Sequence, residues 1–289
     1  MAKEFDWAMY RYTPSLIGAI ICIVIFSVLA GLHCWQWVKT KRSIIIWVLV
    51  GAILEVTGYA ARIGSHYQES TWPPAASAWP PFIMQGVFLL VAPLFLAATV
   101  YMMLGRTIIL AGGAEVSIIK PIWCTRLFVG ADVATLVIQG NGAGIMGTMQ
   151  LELALAGEKI VIAGLALQVA TFIVFLIIAG DFHIRMNKKT QSTTAYGQST
   201  EWRKMLWILY TLSSLILLRC VFRLIEYSMG NNSYLIAHEW TLYVFDTTPM
   251  FLVLVLMLVL QPSKYVPEGL PRKGSGSSED VEVAVEPKQ

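Results

Sequence analysis

Seven stretches of this chain are long and apolar enough to be membrane-spanning helices, and no other feature constrains the fold as tightly. Crossing about 30 Å of hydrocarbon takes about 20 mostly apolar residues in a helix. The segments are Ser15–Val38, Ser43–Ser65, Pro80–Leu104, Ile122–Gly140, Lys159–Asp181, Lys204–Tyr227 and Trp240–Leu260. With 56% hydrophobic and 13% charged residues, the chain departs from soluble domains, which run near 25% charged. The expected fold is therefore an all-α membrane protein, a bundle of seven transmembrane helices over residues 15–261. The first apolar run exceeds the roughly 7–15 residues of a signal-peptide core and lacks a clear small-x-small cleavage site, so it is kept as a span.

The short loops set the orientation. Lys39, Lys41, Arg42, Arg106, Lys120, Arg185, Lys188, Lys189, Arg203 and Lys204 flank loops one, three and five, and the tail adds Lys264, Arg272, Lys273 and Lys288. Lys3, Arg11 and Lys159 are all that the other side holds, fourteen against three. Short cytosolic loops carry the Lys/Arg excess. Residues 1–14 are thus expected outside the cell. Residues 262–289, Gly/Ser-rich and then acidic, read as a disordered cytosolic tail. The expected location is an integral membrane, foremost the plasma membrane, with internal membranes (endoplasmic reticulum, vacuole) as the alternative.

Other segments have plain readings. Thr71 to Phe82, with its Trp and Pro residues, reads as a cap in the outer aromatic belt. Gly140-Asn-Gly142-Ala-Gly144 reads as flexible loop backbone, since no Gly-Lys-Ser/Thr follows to hold a phosphate. Met149–Ala156 reads as a short surface helix. Asn231-Asn232-Ser233 is a glycosylation sequon too near the sixth span to be used. Cys22, Cys34, Cys124 and Cys220 fall within spans, where no bridge is expected.

The chemistry lies in ionisable residues inside the spans. Each costs about 2.5–3.5 kcal/mol or more at mid-membrane, so each needs a partner or an aqueous cavity. Glu55 and Asp132 fall near the midplane. Arg62, Arg219, Arg223, Glu226 and Asp246 fall in the outer half, with Glu239 and Gln139 at the outer helix ends. Glu55, Tyr59 and Arg62 are spaced i, i+4, i+7, and Arg219, Arg223 and Glu226 repeat the pattern. At 1.5 Å per residue, Glu55 and Arg62 stand about 10 Å apart, so their partners must come from other helices. Two readings stay open from the residues alone. The charges either glue helices together or line a polar cavity that takes an amphipathic molecule. Buried ion pairs need not stabilise more than apolar packing, so glue is a weak account of seven charges.

At this point the residues resemble a known family. Glu55-x-x-Gly58-Tyr59-x-x-Arg62 and Ala92-Pro93-x-x-x-Ala97-Ala98-x-x-Tyr101-x-x-x-Gly105-Arg106 are two of its strings. Asp132 with Gln139-Gly140-x-Gly142, then Gly164-x-x-x-Gln168, continue the series. Arg219-x-x-Phe222-Arg223-x-x-Glu226 and Glu239-x-x-x-Tyr243-x-x-Asp246-x-x-Pro249-Met250 complete it. In this order, over residues 10 to 262, the chain resembles the fungal lipid-translocating exporter family, the RTA-like seven-span proteins. Gln261 departs from the pattern, which has His before Pro262. The resemblance implies movement or export of amphipathic lipids of the sphingoid long-chain base type, with resistance to toxic lipids or drugs. Some members of the family are linked to porphyrin uptake or sterol-analogue resistance.

Rival chemistries fail on particular residues. A retinal protein needs a Lys in the seventh span, and Trp240–Leu260 has none. The four histidines, His33, His66, His183 and His238, sit near helix ends or in loops, where interfacial roles are expected rather than haem ligation. A His/Asp/Ser metallohydrolase cluster and a nucleotide motif are missing, so neither a metal, a cofactor nor an enzyme activity is expected. The net charge of +3 is too small to suggest nucleic acid. The expected partners are membrane lipids and an amphipathic lipid substrate; no protein partner can be named. The other reading is a seven-helix receptor or membrane stress sensor that affects lipid asymmetry indirectly. Gly105-Arg106-Thr107 and Leu260-Gln261-Pro262, at cytosolic helix ends, are not familiar coupling motifs, so transport is favoured.

Overall fold

A computed structural model describes residues 14–69, 79–113, 115, 117, 120–146, 151–192, 201–230 and 233–260. Seven long helical rods account for nearly all of them. They are α1 (Leu16–Thr40), α2 (Ser43–Glu69), α3 (Trp79–Leu110), α4 (Pro121–Met146), α5 (Leu151–Ser192), α6 (Glu201–Ser228), and a last rod. That rod runs as α8 (Glu239–Leu242), a π-helical turn (Tyr243–Thr247) and α9 (Thr248–Leu260), with the four-residue α7 (Tyr234–Ala237) before it. Among the described residues, six helices are long and apolar enough to cross a membrane. The remaining one, α4, is 26 residues long and packs along α3 and α5.

Local chemistry explains several helix ends. Ser15 caps α1 by accepting a hydrogen bond from the Gly18 N–H. At the other end Lys41 takes a left-handed conformation (φ 50°) and returns its N–H to the Trp37 carbonyl, so α2 starts within two residues. Successive helices pack against one another from α1 to α6, α3 also meets α6, and α9 closes the bundle against α6 and α1. Among the six apolar spans α3 is the most enclosed. Its aromatic core joins Tyr101 to Phe128 of α4 and to Phe172 and Phe175 of α5, with ring centroids 4.7 to 5.8 Å from Tyr101.

The structure corrects three expectations. Gly140–Gly144 is not a loop, because α4 continues through it to Met146. Gly142 serves close packing instead: a Cβ there would lie 2.9 Å from the Gly157 carbonyl oxygen and 2.8 Å from Val161. Lipid tails give no hydrophobic drive for helices to meet, so small residues that let backbones approach become the contact. The expected surface helix at Met149–Ala156 is not separate either. Residues 151–156 form the first turns of α5, a single helix of 42 residues that extends beyond the expected Lys159–Asp181 span at both ends. His33 is buried rather than interfacial, and its Nε2–H donates to the Leu254 carbonyl at 3.1 Å. Residues 1–13 of the expected outer segment 1–14, residues 71–78 of the Trp/Pro stretch, Asn231–Asn232 of the sequon and the tail lie outside the described residues.

Gly142→Leu should therefore separate α4 from α5. The expected outcome is a clearly lowered melting temperature in detergent. Gly144→Leu, at a position where a Cβ meets nothing within 4 Å, should leave it within a degree or two of the parent.

Candidate functional site

The polar residues of the bundle gather mainly at one end, where α2 and α6 finish and α8 begins. Two proline effects organise them. Pro93 sits inside α3. Lacking an N–H, it cannot bond the carbonyl four residues earlier, which is Leu89. The Arg219 guanidinium of α6 fills that gap by donating Nη2–H to the Leu89 carbonyl. Its Nε lies 2.7 Å from Asp246 Oδ1, an ion-pair contact without hydrogen-bond alignment. Both side chains are at most 5% exposed.

Asp246 is itself placed by the second proline. Pro249 interrupts the hydrogen-bond ladder of the last rod, and the helix widens to a π turn just before it. Side-chain hydroxyls take up carbonyls there: Thr247 donates to Leu242 O at 3.3 Å and Thr248 to Tyr243 O at 2.9 Å. The Thr247 hydroxyl also shares a hydrogen bond with the Tyr59 hydroxyl of α2. One turn from Tyr59, Glu55 is 1% exposed and within electrostatic reach of Arg219 and Asp246. Its Oε1 has no hydrogen-bond partner among the described residues.

A second node lies about 10 Å further along α2, seven residues on at 1.5 Å each. Arg62, 0% exposed, donates to Glu239 Oε1 at 2.7 Å. The Tyr243 hydroxyl donates to the same oxygen at 2.9 Å, and the Ser15 N–H reaches both carboxylate oxygens at 2.9 and 3.0 Å. Glu239 thus ties the starts of α1 and α8 to the end of α2. The Pro14 carbonyl accepts from His66 Nδ1–H at 2.7 Å, which holds the same entry to α1.

The other sequence candidates have their own partners, although Arg223 and Glu226 remain within electrostatic reach of Asp246. Arg223 pairs with Glu226 on its own helix at 2.8 Å. Asp132 accepts from the Tyr101 hydroxyl at 2.8 Å within the aromatic core. Gln139 donates to Gln168 of α5 at 2.9 Å, so it fastens α4 to α5 and does not join the arginines. Sequence reading by charge and depth passed over Leu89 and Thr247. The signal for Leu89 was present, because Pro93 names the carbonyl that it frees. Thr247 had none, because its role depends on the π turn.

Arg219→Ala should strand Asp246 and the Leu89 carbonyl, a loss of about 3–5 kcal/mol for a broken buried pair. Folded yield by fluorescence size exclusion should collapse. Adding Asp246→Asn and Pro93→Ala, which together remove the lone charge and restore an N–H for Leu89, should recover yield. If Arg219→Ala alone folds as well as the parent, this contact is not structural.

With this geometry in place, the chain can be set beside known proteins. No solved structure matches it. Among curated proteins it is 32% identical over 288 residues to protein RTA1 of Saccharomyces cerevisiae, covering 91% of this chain and 87% of that one. Protoporphyrin uptake protein 1 of Saccharomyces cerevisiae is 29% identical, covering 89% of this chain and 92% of its own. The sphingoid long-chain base transporter RSB1 of Saccharomyces cerevisiae is 26% identical, covering 86% of this chain and 72% of its own. The family model described as RTA1 like protein matches residues 48–269, which takes in both nodes around Arg219 and Glu239, and the chain therefore belongs to the RTA1-like family of membrane proteins.

Proposed function

We propose that this protein moves or exports amphipathic lipids of the sphingoid long-chain base type across the plasma membrane, conferring resistance to toxic lipids or drugs. It does so as a seven-span bundle with its N-terminus outside and its tail in the cytosol. The observation that carries the reading is Glu55, a carboxylate buried beside the Arg219–Asp246 pair with one oxygen unpartnered among the described residues. Two acids and one arginine make that node one negative charge in excess when all three are ionised. A single ammonium on an alkyl chain is the complement. Glu55 would take the amine, Asp246 and Arg219 would set the field around it, and apolar helix faces would receive the chain.

Two relatives' names support an amphipathic cargo, one a sphingoid long-chain base transporter and one a protoporphyrin uptake protein. The excess of acid in the node favours the amine over a carboxylate-bearing cargo. Asp132 supports the site at a distance, holding Tyr101 between α3 and α4. The fourteen-to-three Lys/Arg count supports the orientation, with both nodes toward the outer leaflet.

The test is movement of a labelled long-chain base by purified protein in vesicles. Glu55→Gln keeps the shape and loses the charge, so it should fold normally. Losing a charge-assisted bond of about 1.5–3 kcal/mol should weaken base binding by roughly ten- to a hundredfold. Parent protein that alters tolerance in cells yet moves no lipid in vesicles would instead mark a sensor and overturn the proposal. In intact cells, impermeant reagents should label a cysteine placed at Ser77 but not one at Ser277; labelling of the latter would reverse the orientation.

A further inference from the structure

Between α1 and the last rod the bundle leaves a groove of about 330 Å³, at the small end of the roughly 300–1,000 Å³ that ligand sites occupy. Its walls are almost wholly apolar. Ile21, Ile25 and Phe26 of α1 face Tyr243, Thr247 and Phe251, and Ile21 and Ile25 are 53% and 39% exposed on the lipid side. Gly18 makes room for its polar rim. A Cβ there would lie 2.5 Å from the Tyr243 hydroxyl oxygen, the hydroxyl that donates to Glu239.

The groove backs onto the acids. Phe26, in its wall, stacks on Tyr59 with centroids 5.7 Å apart and planes within 8°. The Tyr59 hydroxyl meets Thr247, also in the wall. Behind this pair stand Glu55, one turn along α2, and Asp246, next in the chain to Thr247. Cys22, a further lining residue, is within electrostatic reach of Glu55, Glu239 and Arg62. The carboxylates do not line the slot, but Glu55 and Asp246 are within electrostatic reach of Tyr59, which one aromatic and one hydroxyl contact join to its wall.

Resting on the reading above, we propose that this groove docks the alkyl chain of a single-chain lipid amine arriving from the membrane, and that the Phe26–Tyr59–Thr247 contact is the partition its head group passes to reach Glu55. The slot's small volume suits one chain rather than the two of a bilayer phospholipid, and the acids behind it suit an ammonium. The chain stays among apolar side chains while the amine exchanges lipid for carboxylate, so neither end is left in the wrong medium.

The experiment uses full-length protein in phosphatidylcholine nanodiscs and a clickable sphingosine with a diazirine in its chain. Photolabelled peptides are mapped by mass spectrometry with and without excess unlabelled sphingosine. Labelling should fall within residues 18–26 and 243–251 and be competed. Ile21→Trp fills the slot from its lipid side and should cut competed labelling by about tenfold, equivalent to about 1.4 kcal/mol. Val24→Trp, at a comparably exposed position (56%) outside the lining, should not, and both variants should melt with the parent. Competed labelling elsewhere overturns the groove and leaves the transport reading standing. Labelling of the groove equally by a diazirine phosphatidylcholine and not competed by sphingosine marks ordinary lipid and overturns the proposal. Absence of any competed labelling overturns both.

Discussion

A backbone carbonyl without an N–H partner is tolerable in water and costly in lipid, and that constraint organises the polar end of this bundle. Pro93 removes the partner of Leu89 O in the most enclosed span. The replacement comes from α6 as the Arg219 guanidinium. An arginine brought there must in turn be neutralised, and Asp246 does so from a π turn that Pro249 causes in the last rod. A buried charge, two helix irregularities and three helices are therefore consequences of one another. Glu55 is the member this exchange does not require. It is also the carboxyl that the Arg219–Asp246 pair leaves without a counter-charge of its own.

The Glu239 node has a different character. Every group around it is a donor, from Arg62, Tyr243 and the Ser15 N–H, and its carboxylate is 16% exposed. It closes the open start of α1 and satisfies a helix N-terminus that would otherwise face the membrane boundary. A carboxylate so fully answered by donors ties three helices together, a geometry that charge counting alone does not reveal. Glu55, in contrast, keeps one oxygen without a donor among the described residues, as do Asp132 and Asp246.

The helix-packing side follows the same logic. The stripe Cys124, Phe128, Asp132, Thr135, Gln139 and Gly142 is buried along α4 at spacings of three and four. Asp132 meets Tyr101 and Gln139 meets Gln168, while Thr135 donates back to the Asp132 carbonyl and Gly142 meets the α5 backbone. In lipid, close approach and interhelical hydrogen bonds take the part that hydrophobic burial has in soluble proteins.

What the sequence determined by itself was the set of long helices, six of them apolar enough to cross a membrane, since about 20 apolar residues in a row have few other homes, and the identity of the charges that need partners. It also determined that Glu55 and Arg62 could not answer one another, because helix rise puts them a turn and more apart. Tertiary structure alone decided the pairings. Nothing local distinguishes Arg219 with Asp246 from Arg219 with Glu239, because helix rotation and the π turn choose between carboxylates at similar depth. It likewise decided that Gly142 is a packing surface rather than a hinge and that His33 is enclosed. Both depend on which helix lies alongside, a long-range fact that spacing within one helix does not contain.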